Sequence, residues 1–120
     1  MTEKENKIRI IANNREHIVN GFLSLLSKES ELSGFIEEIQ KEDFNDEALY
    51  RCTLSDNDNP VISFMVHVDG DYLEITVYID KYYAYSGVKN YRKKRDLNAA
   101  LLKAFKKALD NFVKNPTIDE

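Results

Sequence analysis

Residues 61–79 read VISFMVHVDGDYLEITVYI, a run whose apolar side chains recur at every second position. Ile62, Phe64 and Val66 precede an Asp-Gly-Asp turn, and Leu73, Ile75 and Val77 follow it. A period of two is that of a half-buried strand, and Gly70 between Asp69 and Asp71 supplies the turn chemistry, so the stretch predicts a β-hairpin. A two-residue loop at 69–70 or at 70–71 satisfies the parity. With the first, Val66 lies opposite Leu73, Phe64 opposite Ile75 and Ile62 opposite Val77; a three-residue loop would set every core residue against the wrong face. Ser63, Met65, His67, Tyr72, Glu74, Thr76 and Tyr78 then share the other face. They are too polar for full burial and too aromatic for plain solvent surface, which predicts a partly exposed sheet face.

Outward from the hairpin, Ala48 to Leu54 alternates again, with Ala48, Tyr50, Cys52 and Leu54 expected to face the core. Ser55 to Pro60 is rich in turn formers and reads as a loop. Lys81 to Asn90 reads as a structured connection punctuated by Gly87. Beyond it the period changes: Leu97, Leu101, Ala104, Phe105, Ala108, Leu109 and Phe112 fall on one broad helical face, with Lys103, Lys106, Lys107, Asp110 and Lys114 on the other. This is a core-packing helix that begins between Tyr91 and Leu97 and stops at Asn115-Pro116.

The N-terminal side is helical as well. Ile18, Val19, Phe22, Leu25 and Leu26 predict a helix over 14–28, with Asn13 and Glu16 spaced as a capping box. Ile8 and Ile11 extend the same face backwards or form a short strand. Residues 30–43 admit helix or strand. Leu32, Phe35, Ile36 and Ile39 favour a short second helix capped near Ser33, because the strand reading buries Glu37 between two hydrophobes. The expected fold is therefore α+β and a single domain, residues 1–120. An N-terminal helix, with or without a second short one, precedes a three-stranded antiparallel meander, and a long C-terminal helix packs on one sheet face.

Composition sets the functional bounds. With 120 residues, 42% of them hydrophobic, the chain is large enough to bury a core without staples. Cys52 is the single cysteine, which excludes an intrachain disulfide and favours a reducing, cytoplasmic setting. The polar start of the chain carries no apolar leader, and no apolar run reaches the roughly 20 residues of a membrane helix, so no membrane association is expected.

The net charge of −4 hides an asymmetry: residues 1–80 carry 7 Lys/Arg against 17 Asp/Glu, whereas residues 81–114 carry 10 against 2. The two halves either neutralise each other across the fold or present an acidic and a basic face to different partners.

Catalytic equipment is sparse. Nucleophilic chemistry needs a base beside its nucleophile, and the two histidines, His17 and His67, each have a structural explanation. Asp56 and Asp58 lack the glycine and the distal glutamate of a calcium loop, one cysteine and two separated histidines do not make a zinc site, and the four glycines are scattered. No enzyme activity, cofactor or metal is expected.

The anomaly is Arg92-Lys93-Lys94-Arg95. Cations at a helix start oppose the macrodipole, so either Asp96 caps the helix and the run precedes it, or the cations surround free N–H groups as an anion site. Tyr85 and Tyr91 beside them could stack on bases. The helix, three-strand, helix order resembles the double-stranded-RNA-binding fold, though the resemblance ends at that order. Two function classes follow. The leading expectation is a small non-catalytic protein-binding module of inhibitor, immunity or chaperone/adaptor type, using the acidic half or the polar-aromatic face with His67 and Tyr72. The alternative is nucleic-acid binding through segment 82–95, with Tyr85, Tyr91, Arg92, Lys93, Lys94 and Arg95 as the contacts.

Overall fold

A computed structural model describes residues 2–27, 30–41, 46–53, 61–91 and 97–119. Three helices, α1 (Glu3–Asn13), α2 (Arg15–Leu25) and α3 (Glu31–Lys41), precede four strands: β1 (Asp46–Thr53), β2 (Val61–Asp69), β3 (Tyr72–Ile79) and β4 (Tyr82–Lys89). The long helix α4 (Leu97–Lys114) and a two-residue strand, β5 (Thr117–Ile118), complete the order. The sheet is an antiparallel meander in the order β1-β2-β3-β4-β5. The α+β architecture with α4 on one sheet face is as the periodicity predicts, and 30–43 does contain a helix. No described helix is long and apolar enough to cross a membrane.

The hairpin register is Asp69↔Tyr72, Val68↔Leu73, Val66↔Ile75, Phe64↔Val77 and Ile62↔Ile79. The loop is thus Gly70-Asp71, the second of the two that satisfy parity, and the pairing is shifted by two residues relative to a 69–70 loop. Inward residues still meet inward residues, because a shift of two preserves the face. Gly70 decides between the loops: its φ of +61° occupies the first loop position, where a side chain would be strained.

The connection expected at 81–90 is instead strand β4, paired with β3 through Ile79↔Tyr82, Val77↔Ala84 and Leu73↔Val88. Its turn, Asp80-Lys81, places Asp80 at φ +53°, a left-handed conformation that Asp tolerates better than most residues. With four strands and a C-terminal fifth, the order departs from the double-stranded-RNA-binding pattern.

The helical start also differs. Thr2 caps α1 by accepting from the Glu5 N–H at 3.1 Å, so helix extends through Ile8 and Ile11. Asn13 and Glu16 form no capping box. Asn14 breaks the axis: both its backbone N–H and its Nδ2 donate to the Ile10 carbonyl, at 3.2 and 2.8 Å, and α2 restarts at Arg15. Ser30, not Ser33, caps α3, its Oγ accepting from the Ser33 N–H at 3.2 Å.

The inner sheet face and the helices close on a cluster of aromatic rings. Phe22 of α2 stacks on Phe105 of α4 with centroids 4.2 Å apart at 10°, and Phe64 of β2 meets both edge-on at 5.3 Å. Tyr50 of β1 stacks on Phe64 at 5.4 Å. Around them Ile62, Val66, Ile75, Val77, Leu101, Leu109 and Phe112 are buried, as the alternation and the helical stripe predict. Among the described residues the buried apolar side chains form one continuous cluster.

Candidate functional site: the uncovered sheet face

The buried apolar residues of the described helices join the core cluster on the inner face, and the outward positions of the described strands make up the other face. The register brings its residues into rows across the sheet. Ser63, Tyr78 and Tyr83 lie abreast, continued by Thr117 of β5; Met65, Thr76 and Tyr85 form the next row; His67, Glu74 and Gly87 the next. The Tyr78 and Tyr83 rings are in contact, with centroids 5.6 Å apart. Met65, His67, Tyr72, Glu74, Tyr78 and Tyr83 are half-buried, and Tyr85 is 53% exposed.

One corner of this face is organised. The Tyr72 hydroxyl donates to Glu74 Oε2 at 3.0 Å, and its ring lies diagonally across Gly87. Partial burial, that hydrogen bond and the nearby negative charge of Glu74 together hold the Tyr72 phenol above its ordinary range, with Tyr85 adding to the effect.

His67, Tyr72 and Tyr85 therefore share a surface, although they are separated in sequence. Opposite His67 stands Glu74, whereas the 69–70 loop would have placed Tyr72 there. Tyr91 does not join them. It is 1% exposed and part of the core, so it offers no face for stacking. Asn90, at φ +56°, turns the chain, and the Tyr91 N–H reaches the Asp71 carbonyl at 3.2 Å, which carries the ring inward. Arg92, Lys93, Lys94 and Arg95 lie outside the described residues, as does Asp96.

Met65, Glu74, Tyr78 and Tyr83 are face residues absent from the predicted contacts. The hairpin parity already places the first three on this face; the signal for Tyr83 is the alternation of Tyr83, Tyr85 and Gly87 against Tyr82, Ala84 and Val88, which marks β4.

Comparison with family models, with curated proteins and with solved structures returned no match. The site is accordingly argued from its own geometry.

The charges are distributed in an unexpected way. The described ion pairs are Lys7–Asp80 at 2.7 Å and Arg15–Asp110 at 3.2 Å. Neither joins a carboxylate of the acidic half to a cation of the basic half. Asp110 faces Arg15 of α2 across the helix interface. Lys103, Lys106, Lys107 and Lys114 form no ion pair among the described residues. Among the described residues, no three His, Cys, Asp or Glu side chains converge as metal ligands would.

Proposed function

We propose that this chain is a small, non-catalytic protein-binding module of inhibitor, immunity or chaperone/adaptor type, and that it uses the uncovered sheet face. The observation that supports this reading is the grouping of Tyr72, Tyr78, Tyr83 and Tyr85 with Met65, His67 and Glu74 on a face no described helix covers. Tyrosine suits such a surface because its ring contributes contact area at little conformational cost while its hydroxyl satisfies polar groups on the partner. Rigid strands fix the rings in register, so little ordering remains to be paid on binding. The partner that fits is a folded protein with a flat, mixed apolar and polar patch. The same reading places the chain in the cytoplasm, in keeping with its lone cysteine.

Position-specific photo-crosslinking in the producing cell tests it. A crosslinker at Tyr83 or at Tyr85 is expected to give a discrete protein adduct, and the same label at exposed Asn20 of α2 is not. Tyr85→Glu should suppress the Tyr83 adduct while the protein remains folded. Identical adducts from Tyr83 and Asn20, or none from either face position, would sink the proposal. Titration with single- and double-stranded DNA and RNA at low salt is the companion experiment. Tight, salt-sensitive binding there would favour the nucleic-acid reading instead.

A further inference from the structure

A second surface lies at the edge of the same sheet. Among the described residues β5 pairs with β4 through Tyr82↔Ile118 and Tyr83↔Thr117, and no described strand lies beside β4 from Tyr85 to Lys89. The direction of its main-chain groups follows from two hydrogen bonds. The Lys81 carbonyl accepts from the Asp119 N–H at 2.7 Å, and the Tyr85 carbonyl accepts from Asn111 Nδ2 at 2.9 Å. Both carbonyls point away from β3. Because N–H and C=O of one residue point to the same side and alternate along a strand, Gly87 and Lys89 also direct theirs outward.

Beside this edge runs α4, and between them is an open cleft of about 300 Å³, lined by Ser86–Lys89 of β4 and by Ala100, Lys103, Ala104 and Lys107 of α4. The two alanines keep the helix side shallow. Lys89, Lys103 and Lys107 surround the cleft, and none is paired with a carboxylate among the described residues.

We infer that this cleft takes an extended acidic segment of a partner protein, added to the sheet as a strand alongside Tyr85–Lys89. Two features select that occupant. An outward-facing N–H and C=O ladder is complementary to another peptide backbone, which a phosphodiester chain does not offer. Lys103 and Lys107 match acidic side chains at those alternate positions of the incoming strand that face α4. Asn111 shows the edge at work, since its amide already occupies the Tyr85 carbonyl as a neighbouring strand would. Asn111, by holding the Tyr85 carbonyl, bounds that end and limits the added strand to about five residues at ~3.3 Å each. The cleft is separate from the sheet-face reading: Tyr83 and Tyr85 side chains lie on the outer face, and their substitution leaves the lysines and the Gly87 backbone in place.

The probe is a labelled synthetic peptide of about six residues with Glu alternating with Val or Thr. It is compared with the same peptide N-methylated at alternate amides, and with a short oligouridylate. Amide NMR of the full chain is expected to show shifts centred on Gly87, Lys89, Ala100 and Lys103. N-methylation in the pairing register should abolish them, and K103E with K107E should weaken the peptide about tenfold with the spectrum otherwise native. Retained binding of both N-methylated registers would overturn strand addition, as would shifts confined to Tyr78 and Tyr83 or silence at millimolar peptide. Oligouridylate competing at the same amides more tightly than the peptide would overturn the acidic-peptide assignment.

Discussion

Tyr72 packs its ring onto Gly87, two strands' worth of backbone brought together by a diagonal contact, and a Cβ at position 87 would run into that ring. Gly87→Ala is therefore expected to displace Tyr72 and break its bond to Glu74. Alanine also suits a strand better than glycine, so the net loss of stability should stay within about 1 kcal/mol. A double-mutant cycle with Tyr72→Phe checks the coupling: the two substitutions together should cost less than their separate effects combined.

The same contact gives a pH dependence. The Tyr72 phenol is raised above its ordinary value of 10.0 in the folded protein by burial, then by its hydrogen bond to Glu74. The folded state thus holds this proton more tightly than the unfolded state does. Its contribution is fully present below the unfolded pKa of about 10 and is lost as pH rises through the folded value. Urea melts at increasing alkaline pH should show a steeper decline for the natural protein than for Tyr72→Phe. Parallel declines would remove Tyr72 from the account.

Phe22 and Phe105 hold the N-terminal helices to the C-terminal one through the closest ring stack among the described residues. Truncating either to alanine should cost about 3–5 kcal/mol, with about 0.5–1.5 kcal/mol of coupling between them. Chemical denaturation of both single variants and the double variant measures each quantity.

Gly70→Ala should cost about 1 kcal/mol of stability, read as a lower denaturation midpoint at unchanged slope, because φ at +61° strains any side chain while the surface exposed on unfolding is unaltered.

Asp110→Ala is the contrasting case. Arg15 and Asp110 are 39% and 57% exposed, so removing their pair should cost no more than about 1 kcal/mol and should be undetectable in high salt.

The elements legible in the sequence were those where one strong period ran unbroken. Phe64, Val66, Ile75 and Val77 announced strands, and Leu101, Phe105, Leu109 and Phe112 announced α4. What parity could not distinguish was a register shift of two, since both hairpin loops keep the same faces together. Strand β4 was hidden because Ala84, Ser86 and Gly87 are weak strand formers, and because Asp80-Lys81 lacks the usual glycine of a tight turn. Tyr91 was misplaced for a related reason. Its proximity in sequence to four cations suggested surface, while the positive φ of Asn90 reverses the chain and delivers the ring to the core. His67, Tyr72 and Tyr78 were recognisable as residues of one face, but their grouping with Tyr83 and Tyr85 needed the β3–β4 register, which no local pattern encodes.

Strand β5 is short, and its brevity bears on solubility. Two residue pairs hold it to β4, a length that opens locally at small cost. Each opening uncovers a continuous edge from Tyr82 to Lys89, whose first half, Tyr-Tyr-Ala-Tyr, has strong β-propensity and no charge. Removing the residues after Lys114 would make that edge permanent. Such a truncated chain is expected to self-associate, which makes Thr117 and Ile118 guards against aggregation as well as the last strand of the sheet.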